Sequence, residues 1–114
     1  MQAGCPRAGR VAAAAALIAL FLTACGSSGG GDAKGAIAAA KHAYAKAKAS
    51  GENLGPGPCI AERLPGLADW VVDVAHDPRR PVDDVPANQC ARYRSGAARH
   101  FVELTPSGRL IRAQ

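Results

Sequence analysis

The sequence predicts an α+β fold: a small three-stranded antiparallel sheet with a short helix and one disulfide, preceded by an alanine-rich helix. Residues 69–75 are rich in valine and alternate in the manner of a β-strand. Residues 100–105 and 109–112 flank a turn that contains Pro106 and Gly108, which is typical of a β-hairpin. Residues 35–50 consist mainly of alanine and lysine, which favour a helix.

Alternation along the predicted strands defines an apolar face, formed by Trp70, Val72, Val74, Val102 and Leu104. Residues 86–95 are predicted to form the short helix, because a proline lies in the first turn and Gly96 follows the last. We expect this helix to pack on the apolar face and to turn Cys90 towards the core.

The alanine-rich helix has poor amphipathicity. On a helical wheel, Lys41 and Lys48 fall close to Ile37 and Tyr44, and the alanines form a separate stripe. The pattern favours a mostly exposed, semi-rigid spacer. The alternative is docking through Ile37, Tyr44 or the alanine stripe.

The N-terminus has the layout of a cleavable export signal. Arg7 and Arg10 precede an apolar run over residues 11–22, and small residues precede Cys25. The run is too short to cross a bilayer, which takes about 20 residues. The alternative is an N-terminal hydrophobic helix of a cytosolic protein.

The end of this segment, Leu22-Thr23-Ala24-Cys25, resembles the lipobox of bacterial lipoproteins. The resemblance implies that the Cys25 thiol is diacylglycerated, that cleavage occurs before it, and that acyl chains such as palmitate anchor the protein to a bacterial membrane outside the cytoplasm. Gly26, where some lipoproteins have a retention aspartate, leaves the membrane unspecified. Membrane lipid is therefore the first expected partner.

Five segments follow from these patterns: a signal peptide over 1–24, a lipidated flexible tether over 25–31, a basic alanine-rich helix over 32–50, a linker over 51–58 and a disulfide-stapled α+β domain over 59–114. With Cys5 in the signal and Cys25 committed to lipid, Cys59 and Cys90 remain to form a disulfide. A redox or metal role is the alternative, and the absence of a Cys-x-x-Cys spacing disfavours it.

The chain carries 14 Lys and Arg against 9 Asp and Glu, a net charge of +5. All lysines lie in or beside the alanine-rich helix, whereas arginines and acids are equal in number from residue 51 onward. The lysines either attract anionic lipid or simply keep the helix soluble. Nucleic acid is not an expected partner, because no stacking aromatics interleave with the basic residues. Three arginines surround the predicted short helix, where they either bind an acidic partner or pair with nearby acids: Arg92, Arg94 and Arg99.

A loop over residues 76–85 combines prolines with charges of both signs, which limits the entropy lost on binding. Four side chains make it the favoured recognition surface for an envelope protein or a small ligand: Arg79, Arg80, Asp83 and Asp84. The alternative is a solvated connection whose charges pair internally.

A second group contains possible catalytic or metal-binding side chains: His76, His100, Asp73, Asp77 and Glu103. If the strands are neighbours, two histidines and a carboxylate could bind a metal or supply a general base. Alternation instead places both histidines near the core edge and Asp73 and Glu103 on the opposite face. We therefore predict no metal and no cofactor, and a non-catalytic binding or envelope-interaction role. A small hydrolase using His76 and His100 is the alternative.

Overall fold

A computed structural model describes residues 29–114 and the side chains from residue 32 onward. The predicted signal peptide and lipidated Cys25 lie outside these residues. The elements, in chain order, are α1 (Gly29–Ala49), β1 (Cys59–Ala61), β2 (Trp70–Val74), two 3₁₀ turns (Pro81–Asp84 and Pro86–Asn88), α2 (Ala91–Arg94), β3 (His100–Leu104) and β4 (Leu110–Ala113).

The strands form one sheet in the order β1-β2-β3-β4. β2 and β3 are parallel, and each edge strand is antiparallel to its neighbour. The α+β class is confirmed, but the prediction of three antiparallel strands is wrong. The connection between β2 and β3 crosses over the sheet, so β3 re-enters in the direction of β2. β1 has only three residues, too few for alternation to reveal a strand.

Helix α1 covers one face of the sheet. Its buried residues Ala36 and Ala40 contact a core formed with Leu64, Trp70, Val72, Val102 and Leu104. The exposed-spacer interpretation is therefore wrong, and docking through the alanine stripe describes the structure. Small side chains allow the helix axis to approach the sheet closely, so a stripe of low hydrophobicity still excludes water.

The same helix holds the turn between β3 and β4. The Tyr44 hydroxyl donates a hydrogen bond to the Pro106 carbonyl at 2.8 Å, and the Lys41 ammonium donates to the Gly108 carbonyl. Gly108 has a φ of 88°, and a Cβ there would lie 2.7 Å from the Tyr44 ring. The turn thus requires glycine both for its backbone and for the tyrosine that lies against it.

The crossover between β2 and β3 covers part of the opposite face. Cys90 and Ala98 pack there against Val71 and Phe101. The Cys59–Cys90 disulfide, with an S–S distance of 2.07 Å, is confirmed. The two cysteines are 31 residues apart in sequence. In the chain-entropy treatment, closing a loop of this length stabilises the folded state by about 3.7 kcal/mol.

The sequence predicted one helix over residues 86–95, packed on the Trp70 face, and this prediction is wrong. These residues form a 3₁₀ turn and the short helix α2 on the Val71 face, because α1 already occupies the other side. Among the described residues, no helix is both long and apolar enough to cross a bilayer.

Candidate functional site

A cleft of about 350 Å³ opens on the sheet face opposite α1, beside the crossover. The sheet contributes Val71, Asp73, Phe101, Glu103 and Arg112, and the crossover contributes Arg79, Gln89, Cys90, Tyr93 and Arg94. Both layers are needed to form it. Small-molecule sites in proteins have volumes of about 300–1,000 Å³, so this cleft suits a small ligand.

One side of the cleft is apolar. Val71 and Phe101 are buried sheet residues, and the Tyr93 ring meets Phe101 edge-on with ring centroids 5.0 Å apart. Tyr93 is 44% exposed, so its ring forms part of an accessible wall. The Arg112 guanidinium lies 5.0 Å from the Phe101 ring centroid, in cation–π contact. A flat apolar group would therefore find aromatic surface next to positive charge.

Two carboxyl groups lie side by side in the cleft. Asp73 and Glu103 are register partners in the parallel pair β2–β3, so both side chains point to the same face. Burial raises the pKa of Asp73 to about 7, and the neighbouring charge of Glu103 adds to this effect. Oδ1 of Asp73 is buried and has no hydrogen-bond partner among the described residues. This oxygen is closed to solvent, which is consistent with the raised pKa of the carboxyl.

Three guanidinium groups line the same cleft as these carboxyls. Arg79 lies 2.9 Å from Asp84 and 3.5 Å from Glu103. Arg112 lies 3.8 Å from Glu103, which is beyond hydrogen-bonding distance. Arg94 is exposed and forms no ion pair or side-chain hydrogen bond with any residue from 32 to 114. Arg112 and Arg94 thus retain donors that no residue from 32 to 114 uses.

The four residues of the predicted recognition loop are divided between the interior and the surface. Asp83 is buried and accepts hydrogen bonds from the backbone N–H groups of Arg80 at 2.7 Å and His76 at 3.1 Å. Burial acts to raise its pKa, but the hydrogen bonds from Arg80 and His76 outweigh this effect and hold the pKa below its ordinary value. Asp83 therefore organises the loop from within. Arg79 and Asp84 pair with each other, and of the four predicted residues only Arg79 lines the cleft.

The two histidines do not converge. His100 begins β3, stacks on Trp70 with ring centroids 4.8 Å apart, and lies 3.6 Å from Asp69. His76 follows the other end of β2, where Nδ1 lies 2.9 Å from Oδ1 of Asp83. Because β2 and β3 are parallel, with Trp70 opposite His100, the histidines occupy opposite ends of the sheet. Each is paired with its own carboxylate.

The three acidic residues of the predicted catalytic group do not all lie in the cleft. Asp77 pairs with Arg109 at 3.1 Å, outside the cleft. Only Asp73 and Glu103 are brought together. The sequence pattern held a signal for them, since each is an acidic residue inside an otherwise apolar strand and both were placed on the face opposite Trp70. Alternation could not reveal that arginines from α2 and β4 would line the same cleft.

One further cluster of possible metal ligands occurs among the described residues: Cys59, Glu62 and Cys90. Both cysteines are in the disulfide. The Glu62 carboxylate accepts hydrogen bonds from the backbone N–H groups of Ala91 at 2.7 Å and Arg92 at 3.0 Å. The Glu62 carboxylate therefore caps the N-terminus of α2. This structural role and the disulfide account for the cluster.

Two of the three arginines near α2 are used structurally. Arg92 donates to the carbonyls of Glu62 and Ala68, and Arg99 pairs with Asp69 at 3.3 Å. Only Arg94 is left to act on another molecule. Comparison with known proteins provides no precedent for this arrangement: no family model, curated protein or solved structure matches the chain.

Proposed function

We propose that this protein is a lipid-anchored extracytoplasmic binding module whose ligand occupies the cleft between the sheet and the crossover. The observation that carries this proposal is the cleft in which Arg94 and Arg112 keep donors that no residue from 32 to 114 uses, beside an accessible aromatic wall. Hydrogen bonds to charged groups contribute about 1.5–3 kcal/mol each. A ligand that accepts hydrogen bonds from these donors would gain this free energy on binding.

The lipid anchor in this proposal rests on Leu22-Thr23-Ala24-Cys25. The Cys59–Cys90 disulfide supports export, because disulfides persist mainly in oxidising compartments. Helix α1 begins at Gly29, close in sequence to Cys25. An acylated Cys25 would therefore hold the folded part near the membrane surface.

The alternative hydrolase gains no support from the placement of its residues. His76 and His100 lie at opposite ends of the sheet, so they cannot act on one substrate atom or bind one metal ion within this chain. The His76–Asp83 pair resembles a general-base pair in isolation. Its geometry is accounted for by the loop, since Asp83 also binds the backbone at Arg80.

The anchor is tested by labelling cells with a radioactive or clickable palmitate analogue. The wild-type chain and a Cys5→Ser control should incorporate label, and Cys25→Ser should not, because only the Cys25 thiol is the proposed acyl acceptor. Retention of label and membrane association by Cys25→Ser would contradict the proposed anchor.

The binding role is tested on the full chain purified in a non-ionic detergent and labelled with ¹⁵N. Small organic anions, cations and neutral compounds are added in turn, and backbone amide signals are followed by NMR. At least one class should shift signals from Phe101, Glu103 and Arg112 selectively. If no class shifts the cleft signals more than those of α1, the binding role is wrong.

A further inference from the structure

The charges of the cleft narrow the chemistry of the ligand. Arg79 is satisfied by Asp84 and Glu103, whereas Arg94 and Arg112 keep unused N–H donors. A guanidinium is planar and presents paired donors that match a carboxylate. The positive charges of Arg94 and Arg112 would repel an amine or any other cation that entered the cleft. The arginines therefore select an anion.

The apolar wall adds a second requirement. Val71, Phe101 and Tyr93 present hydrocarbon and aromatic surface beside Arg112. An inorganic anion would leave this surface exposed to water. A ligand that joins an acid group to a flat apolar body would cover it, and burial contributes about 25 cal/mol per Å² of apolar area. The volume of about 350 Å³ limits that body to roughly one or two rings.

Asp73 adds a third requirement, which concerns protons. The charged groups that act on Asp73 are Glu103 from β3 and Arg79 and Asp83 from the crossover, and Arg112 from β4 and Arg94 from α2 line the same cleft. Burial and the charge of Glu103 raise the pKa of Asp73 to about 7, so below that pH its carboxyl carries a proton. A protonated carboxyl donates a hydrogen bond to an anion, whereas an ionised one repels it.

We propose that the cleft binds a small carboxylic acid with a flat apolar body. Arg94 and Arg112 hold the carboxylate, the protonated carboxyl of Asp73 donates a hydrogen bond to it, and the apolar body lies against Phe101 and Tyr93. This inference rests on the proposed function, because it specifies the ligand of the same cleft.

Three probes of matched shape test the inference on the full chain in detergent: benzoate, benzamide and benzylamine. They differ in carrying a negative charge, no charge and a positive charge. Benzoate should shift the cleft amide signals and bind about tenfold more tightly than benzamide, because charge-assisted hydrogen bonds are stronger than neutral ones. Benzylamine should cause no selective shift.

Arginine variants separate the site from general electrostatics. Arg94→Ala should weaken benzoate binding about tenfold or more, as expected for the loss of one charge-assisted hydrogen bond, and leave benzamide unchanged. Arg80→Ala removes another exposed guanidinium, outside the cleft, and should leave both affinities unchanged. Equal losses in the two variants would overturn the assignment of Arg94.

The pH dependence reports on Asp73. Benzoate affinity should fall between pH 6 and pH 8, by about tenfold per pH unit at most, because binding retains one proton. Asp73→Asn keeps a hydrogen-bond donor and should bind benzoate with little pH dependence over this range. A wild-type affinity that does not change with pH, or a variant that keeps the full dependence, would overturn the role of Asp73.

The outcomes distinguish this inference from the function on which it rests. Selective binding of benzylamine to the cleft would overturn the carboxylate and leave the binding role intact. Binding of inorganic phosphate as tight as that of benzoate would overturn the need for an apolar body. If none of the probes in the wider panel shifts the cleft signals, the binding role itself is wrong.

Discussion

The two faces of one sheet have opposite characters in this protein. On the face under α1, Val72, Val102 and Leu104 are fully buried among apolar neighbours. On the other face, the same strands present Asp73 and Glu103 to a cleft that the crossover covers only in part. Since adjacent residues of a strand point to opposite faces, each strand supplies both surfaces. The comparison indicates that the face under α1 stabilises the fold, whereas the cleft face can contain residues that contribute no stability.

The largest effect that sharpens this comparison is expected on the α1 face. Leu104→Ala should lower the free energy of unfolding by about 3–5 kcal/mol, because the residue is fully buried and its removal leaves a cavity. Urea denaturation measures the change. Val85→Ala, at a site that is 44% exposed, should cost less than about 0.5 kcal/mol. Similar losses in the two variants would contradict the packing of this face.

On the cleft face, a substitution should instead stabilise the protein. The pKa of Asp73 is about 7 in the folded state, above its ordinary value of 3.8. Between these values the unfolded chain releases the proton and the folded chain keeps it, so the carboxyl destabilises the fold increasingly up to pH 7. Asp73→Asn should therefore gain about 2–4 kcal/mol at pH 8 and little near pH 4, since each pKa unit corresponds to about 1.4 kcal/mol.

Urea denaturation at the two pH values measures this gain. Asp77→Asn removes an exposed carboxylate just beyond β2 and should alter stability by less than about 1 kcal/mol at either pH, because its pair with Arg109 is also exposed to solvent. A gain for Asp73→Asn that is the same at pH 4 and pH 8 would show that the carboxyl does not titrate as described.

The smallest expected effect lies at the contact of α1 with the hairpin turn. Tyr44→Phe removes the hydrogen bond to Pro106 and should cost about 1 kcal/mol. Thermal denaturation measures the shift. Tyr93→Phe is a suitable control because Tyr93 is 44% exposed in the cleft wall and should change stability very little. An unchanged melt for Tyr44→Phe would indicate that the turn is held by other contacts.

Local patterns in the sequence predicted β2, the hairpin and the disulfide, because alternation, turn residues and cysteine pairing are properties of short segments. They did not predict the parallel pair, since strand direction depends on the whole crossover. The sequence pattern also favoured an exposed spacer helix over docking of α1 on the sheet. Ala36 and Ala40 have little hydrophobicity of their own, and their burial depends on how closely the helix approaches the sheet.

The candidate site could be predicted only in part. Asp73 and Glu103 were placed on one face, but that face was not identified as a cleft. Arg94 and Arg112 reach it from elements far apart in sequence, so spacing carries no information about their meeting. Asp83 illustrates the opposite error: a charged residue in a proline-restricted loop resembles a recognition residue, and its burial follows only from the tertiary fold.

The environment of Asp83 links two segments that are distant in the chain. A Cβ at Gly57 would lie 2.7 Å from Oδ1 of Asp83 and 2.8 Å from the Val74 carbonyl. A side chain at position 57 would displace both the carboxylate that holds the loop and a backbone carbonyl of β2, and the φ of 78° there also favours glycine. In evolutionary terms, position 57 should stay glycine even where residue 83 changes, so that this short glycine-containing segment constrains how the loop beside the cleft can diversify.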